Sequence, residues 1–244
     1  QNVNSYGKDR ADGYTFPELL EELSAIPGDY LLRFMTSHPK DASDRLIEVM
    51  ARSPRIAKCF HLPLQAGSDD VLRRMNRHYD FAKYYGIIEK IRAAMPDCVI
   101  TSDIMVGFPG ENEADFEATL EALRRVRFDM TYSFIYSPRN GTPAAKEAQI
   151  PDAVKRERFD RLLALESGIM CEKNQAAVGQ ILCVLCDGVS KNDPNTYCGR
   201  TEGNKIVFFD GDERDRGKFI RVRILSAESF ALRGEIVRDA NPET

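Results

Sequence analysis

From Lys58 to Tyr79 the chain reads KCFHLPLQAGSDDVLRRMNRHY, a strand that turns abruptly into a helix while carrying polar side chains that a fully buried strand lacks. Successive strand side chains point to opposite faces. Phe60, Leu62 and Leu64 therefore form one packing face, and Cys59, His61, Pro63 and Gln65 the other. Ala66-Gly67 turns the chain, and Ser68 stands as the N-cap of a helix whose Val71, Leu72 and Met75 recur at helical spacing. Where a strand end, a glycine turn and a helix start meet within a few residues, α/β proteins build their sites.

A polar residue on one strand face has a plain reading, a satisfied side chain on a partly wet strand. Here the pattern recurs. Tyr30 to Ser37 sets Leu32 and Phe34 against Arg33, Met35 and Ser37, and Cys98 to Gly107 sets Ile100, Ile104 and Val106 against Thr101, Asp103 and Met105. Three successive strands thus carry an Arg, a His with a Gln, and an Asp on their non-helix faces. The arrangement predicts a polar lumen inside a partial parallel (β/α) barrel.

The rest of the first part follows the same rhythm. The stretch QNVNSYG at the start resembles the mouth end of a strand cut inside a domain. Helices are expected over Phe16 to Ile26, with Leu19, Leu20 and Leu23 inward, and over Ser43 to Arg52 and Phe81 to Met95. Asn112 caps a further helix, with Asp115 as the capping-box acid and Phe116, Leu120, Leu123 and Val126 facing the core. Asp129 to Ser137, β-branched and aromatic, reads as the last of four strands alternating with helices, the signature of a parallel sheet. A long charged helix then runs from Ile150-Pro151 to about Val178, with Val154, Phe159, Leu162, Leu163, Leu165 and Ile169 inward and Gly179 as its stop.

The domain boundary is placed there, giving 1–178 and 179–240. Beyond it the period switches to two: Gln180 to Asp187, Thr196 to Thr201, Lys205 to Phe209, Lys218 to Leu225 and Phe230 to Val237 read as five short strands, with the loop around Asn192 to Asn195 between the first two. Five strands in so short a stretch predict a small closed barrel of the OB kind, an architecture that binds oligonucleotides. Basic and acidic residues balance between 180 and 240. Arg221 and Arg223 share one strand face, either a phosphate-binding strip or a solvated surface.

Two constellations resemble chemistry without its spacing. Cys183 and Cys186 have the separation of a metal or redox pair, but on a strand residues three apart face opposite ways, with no second pair or His nearby. The loop Gly107 to Glu111, GFPGE, lacks the Lys-Ser/Thr of a P-loop and the spacing of a dinucleotide fingerprint, leaving a tight backbone approach to a ligand at a strand end.

At 244 residues, with 43% hydrophobic and 30% charged content, the chain holds one large and one small domain. It shows no membrane-length apolar run and no signal-peptide core, so a cytoplasmic protein with no membrane partner is expected, and its six scattered cysteines are expected to be reduced. A net charge of −4 neither requires nor excludes nucleic acid.

QNVNSYG, RFMTSHP, HLPLQAGSD, MNRHY, SDIMVGFPGE and YSPRNGTPAA, followed by GRTEGN and LRGEIV, occur in the order in which the radical-SAM methylthiotransferases carry them. The chain resembles that family over essentially its whole length, with a partial radical-SAM barrel followed by an RNA-binding TRAM module. QNVNSYG and MNRHY resemble the branch that modifies isopentenyl-adenosine beside the tRNA anticodon. The resemblance implies a transferase that uses S-adenosylmethionine and [4Fe-4S] clusters to add a methylthio group, acting as a monomer on a tRNA anticodon stem-loop with an electron donor to reduce the cluster. One departure is large. The family's Cys-x-x-x-Cys-x-x-Cys does not occur here, so the cluster ligands lie outside this sequence, which resembles the C-terminal portion of such an enzyme and is not expected to turn over by itself.

By the same resemblance Asn2, Asn4, Ser5 and Arg33 meet the amino acid moiety of S-adenosylmethionine, Gln65 and Ser68 its ribose, and Val106, Gly107 and Tyr136 its adenine. His61 and Asp103 are catalytic candidates that either face the substrate base or brace the lumen. Arg74 and Arg77 meet tRNA phosphate or form a solvated helix face. The rival from another class is a non-catalytic RNA-binding protein on a relic barrel, and the coding sequence upstream of Gln1 separates the two. An ordinary hydrolase barrel would need a nucleophile and base that the sequence does not offer.

Overall fold

The computed structural model describes residues 2–35, 37–191 and 193–238. Gln1 of QNVNSYG, Thr36 of RFMTSHP, Asn192 and the residues from 239 onward, and with them the end of the expected 179–240 domain, lie outside the described residues. The chain forms two compact units, Gln1–Ile169 and Met170–Thr244.

The first unit is built on a parallel sheet of order β1-β2-β3, with β1 at Cys59–His61, β2 at Val99–Val106 and β3 at Met130–Ile135. α1 (Phe16–Ala25) and α2 (Asp44–Arg52) precede β1, α3 (Asp69–Arg74) and α4 (Phe81–Ala94) connect β1 to β2, α5 (Glu113–Val126) connects β2 to β3, and α6 (Asp152–Gln175) follows β3. The expected caps form: Ser43 and Ser68 accept from the backbone amides of Leu46 and Val71, and Asn112 with Asp115 makes a reciprocal capping box. Phe60, Leu62, Leu64, Ile100, Ile104 and Val106 are fully buried in one core, as their alternation predicts.

The sheet differs from expectation at one edge. Among the described residues of Tyr30 to Ser37 the sheet pairing is one isolated parallel bridge, Leu32 to Ile56, rather than a fourth strand. Beyond it the backbone is held by Phe34, whose ring lies edge-on to Phe16 at 5.1 Å and to Phe60 at 5.8 Å. The central strand is also shorter than expected. Pro63 has no N–H to donate and Gln65 adopts φ +74°, so the ladder ends at His61 and resumes only where Gln65 pairs with Ile104. Val3–Ser5 is a turn of 3-10 helix rather than a strand end.

In α6 the buried stripe is Lys155, Arg158, Leu162, Glu166 and Ile169, while Val154 and Leu163, expected inward, are exposed. Charged groups take the inward positions, which breaks the apolar periodicity.

The second unit holds a closed barrel of order β4-β5-β6-β8-β7: Ile181–Val189, Tyr197–Thr201, Ile206–Phe209, Phe219–Ala227 and Ala231–Ile236 in chain order. Its core is Val184, Cys186, Val207, Phe209, Val222, Ile224 and Leu232. All five expected strands form. Cys183 is exposed and Cys186 buried, so the pair faces opposite ways. Among the described residues no helix is long and apolar enough to cross a membrane.

Candidate cofactor and nucleic-acid sites

The C-terminal ends of the parallel strands bring Gln65, Val106, Gly107 and Tyr136 together. Gln65 N–H donates to the Asp103 carbonyl at 2.8 Å and its own carbonyl accepts from Met105 N–H at 2.8 Å, while Tyr136 N–H donates to the Val106 carbonyl at 2.8 Å. Gln65 is held at φ +74°, a conformation that costs a non-glycine residue backbone strain. Ser68, after the turn, donates to Asp115 at 2.6 Å.

The loop that follows β2 is closed on itself. Gly107 N–H donates to Glu111 Oε1 at 3.1 Å and Glu111 N–H to the Phe108 carbonyl at 2.9 Å. Burial pushes the Glu111 carboxyl up, against the opposing pull of Gly107 N–H and Arg158. Phe108 lies edge-on to Tyr136 at 5.1 Å, and the Tyr136 hydroxyl is buried with no hydrogen-bond partner. A buried, unpaired hydroxyl beside an aromatic wall fits a ligand with a polar edge and a flat face.

On the lumen face of β2 stand Thr101, Asp103 and Met105. His61 Nδ1 lies 2.9 Å from Thr101 Oγ1 and its Nε2 3.6 Å from Asp103 Oδ1. The parallel register sets Tyr132 beside Asp103 and Phe134 beside Met105, with Tyr132 edge-on to His61 at 5.8 Å. Both aromatic residues are exposed, as is Met35. Sequence reasoning missed Tyr132 and Phe134; the alternation Met130, Tyr132, Phe134, Tyr136 was the signal that would have found them.

Asn2, Asn4 and Ser5 form a second group. Asn2 bonds both Ser5 and Asp41, and Ser37 approaches Asn4 at 3.5 Å. Burial pushes the Asp41 carboxyl up, but the bonds from Lys8 and Asn2 outweigh it and leave it below the usual range. The Asn4 side-chain amide lines a pocket of about 150 Å³ with Lys8, Thr15, Phe16, Asp41 and Leu46, and its nitrogen has no hydrogen-bond partner. Arg33 is exposed.

Of the basic residues, Arg74 pairs with Glu147 at 2.9 Å, and Arg77 lies 3.4 Å from His38, whose ring is held below its usual range by burial and by Arg77. Arg221 and Arg223 both point outward from β7, and Arg223 lies 3.6 Å from Glu235.

Residues 1–123 match the Radical SAM superfamily, which is half of the chain. The chain belongs to the radical SAM superfamily. Residues 175–237 match the TRAM domain and coincide with the closed barrel. The tRNA-2-methylthio-N(6)-dimethylallyladenosine synthase of Clostridium botulinum (strain Okra / Type B1) is 49% identical over 236 residues, covering 96% of this chain and 52% of that protein. The protein of the same name from Acetivibrio thermocellus is 49% identical over 239 residues, covering 98% and 50%. The chain therefore spans about half the length of the curated relatives it matches. A solved structure of coproporphyrinogen III oxidase from Escherichia coli aligns with TM-score 0.49 at 14% identity, covering 70% of this chain and 46% of that one.

The superfamily implies S-adenosylmethionine and an iron-sulfur cluster, and the residues fit the two differently. The strand-end group, with its buried, unpaired Tyr136 hydroxyl and its glycine loop, fits an adenosyl moiety. A cluster does not fit. Cys59 opens β1 and Cys98 precedes β2, at the N-terminal ends of strands whose C-terminal ends carry the candidate site. Among the described residues no three Cys, His, Asp or Glu gather as a metal-binding set.

Proposed function

We propose that this chain is the cofactor-binding and RNA-binding portion of a tRNA methylthiotransferase acting on isopentenyl-adenosine next to the anticodon. The observation that carries this reading is 49% identity along 96% of the chain to a tRNA-2-methylthio-N(6)-dimethylallyladenosine synthase, with the radical SAM and TRAM matches in sequence order.

The residues divide the work. Gln65 and Ser68 hold the ribose, and Val106, Gly107 and Tyr136 hold the adenine, with the Tyr136 hydroxyl donating to a ring nitrogen. Asn2, Asn4, Ser5 and Arg33 hold the amino acid end. S-adenosylmethionine, when bound, supplies the methyl group and the radical chemistry that the superfamily name denotes. His61 and Asp103 face the substrate base from the lumen, where Met35, Met105, Tyr132 and Phe134 supply apolar surface. Burying a five-carbon isopentenyl tail on that surface contributes about 2–4 kcal/mol. Arg74, Arg77, Arg221 and Arg223 meet phosphates of the tRNA anticodon stem-loop. The protein acts as a cytoplasmic monomer supplied by an external electron donor.

The test is to incubate the product of the whole reading frame with S-adenosylmethionine, a reductant and tRNA, and to analyse the nucleosides by mass spectrometry. A methylthio adduct on isopentenyl-adenosine is the expected product. If the protein binds tRNA tightly and yields no adduct, and the reading frame upstream of Gln1 lacks Cys-x-x-x-Cys-x-x-Cys, the reading gives way to a non-catalytic RNA-binding protein.

A further inference from the structure

We propose that Lys155 and Arg158 of α6 are positioning residues that hold the Gly107–Glu111 loop in the shape that receives the adenosyl end of the cofactor; this rests on the cofactor placement proposed above. Both cations are buried on one stripe of the helix, where burial of a charge needs a specific partner.

Arg158 has that partner in the loop. Its Nη1 donates to Glu111 Oε1 at 2.9 Å and to the Glu111 carbonyl at 3.1 Å, with the two side chains only 6% and 1% exposed. The same Oε1 accepts from Gly107 N–H, so one carboxylate oxygen ties the first residue of the loop to the helix. Lys155 acts through its stem. Gly107 has φ +78°, and a Cβ built there would lie 2.7 Å from Lys155 Cγ, so the methylene chain is the floor on which the glycine rests.

What the loop then presents is Phe108, at 5.1 Å from Tyr136 and its unpartnered buried hydroxyl. Shifting Gly107 moves that wall. Both cations contact the loop itself, Arg158 at Glu111 and Lys155 at Gly107, which makes them positioning residues rather than binding ones.

The experiment uses the product of the whole reading frame and two readouts: hydrogen exchange at the Gly107 amide, and S-adenosylmethionine affinity by calorimetry. Arg158→Met is expected to speed exchange at Gly107 and raise the Kd about tenfold, with kcat at saturating cofactor little changed. Arg158→Lys, which keeps the charge but loses the guanidinium that bonds Glu111 through Nη1 and Glu113 through Nε, recovers only part of the affinity. Lys155→Met keeps the stem and leaves the Kd unchanged, whereas Lys155→Ala removes it and raises the Kd. Gly107→Ala is the control for the site itself. If Gly107→Ala weakens binding and neither Arg158→Met nor Lys155→Ala does, the positioning role is overturned. If Gly107→Ala also leaves the Kd unchanged, the loop is not the cofactor site, and the underlying placement falls together with the inference.

Discussion

His61 and Asp103 face one another across neighbouring parallel strands, Nε2 to Oδ1 at 3.6 Å, while Thr101 holds the opposite ring nitrogen at 2.9 Å. Thr101 and Asp103 are two apart on β2, so strand alternation alone aims both at the same imidazole. The pair borders the lumen, with His61 buried and the Asp103 side chain 28% exposed.

If this pair serves the substrate rather than the fold, Asp103→Asn should separate turnover from stability. The expected result is a fall of about 10²-fold in kcat, in the range of a lost proton-handling group, with unfolding free energy changed by less than about 1 kcal/mol. Denaturant melts beside single-turnover assays check it. A large stability loss with turnover preserved in the folded fraction would make the pair a brace.

The 244-residue chain, treated with iron and sulfide, should hold no stoichiometric [4Fe-4S] cluster. Among the described residues no three metal-binding side chains gather, and burial pushes the Cys186 and Cys198 thiols up, away from the thiolate form that binds iron. Iron analysis and Mössbauer spectra decide the point, and one cluster per chain would refute it.

Glu166 sets a pH dependence. It is buried against Ser133 and Thr131, and burial pushes its carboxyl up against the opposing pull of those hydroxyls. A carboxyl raised in the folded state favours folding below the unfolded carboxylate range and loses that contribution as pH rises through its folded pKa. Glu166→Gln should therefore melt at a higher temperature than the native chain near neutral pH, with the two curves converging under acid conditions. A native chain more stable than the variant at neutral pH would contradict this.

Residues 180 to 240 should add tRNA affinity through few phosphate contacts. Their charge is balanced and Arg223 lies near Glu235, so log K is expected to fall with log salt at a slope of about −2 to −4. Arg221→Ala with Arg223→Ala should make the slope shallower by about 2. Unchanged affinity on deleting the barrel would remove its RNA-binding role.

The sequence read well wherever one period ruled. The Asn112–Asp115 capping box, the alternation in β2 and all five barrel strands follow from local rules that tertiary contacts did not override. It read poorly where packing decided. Tyr30 to Ser37 has strand alternation, yet aromatic contacts of Phe34 and a single bridge at Leu32 replace the ladder. In α6 the buried positions include Lys155, Arg158 and Glu166 alongside Leu162 and Ile169, and no apolar pattern marks a stripe interrupted by charges, of which Arg158 and Glu166 answer partners elsewhere in the chain. At the candidate site, Gln65, Gly107 and Tyr136 were legible as strand ends. Glu111, Arg158, Tyr132 and Phe134 needed the register and the distances.

The most direct test of the central claim is turnover of the whole reading-frame product on matched anticodon stem-loops with and without the isopentenyl group on the target adenine. The exposed apolar side chains Met35, Tyr132 and Phe134, with Met105 beside them, predict a clear preference for the isopentenylated substrate, consistent with about 2–4 kcal/mol of buried tail. Methylthiolation of the isopentenylated loop with little on the unmodified one is the expected result. Equal turnover of both, or turnover only of a ribosomal-protein aspartate, would contradict it.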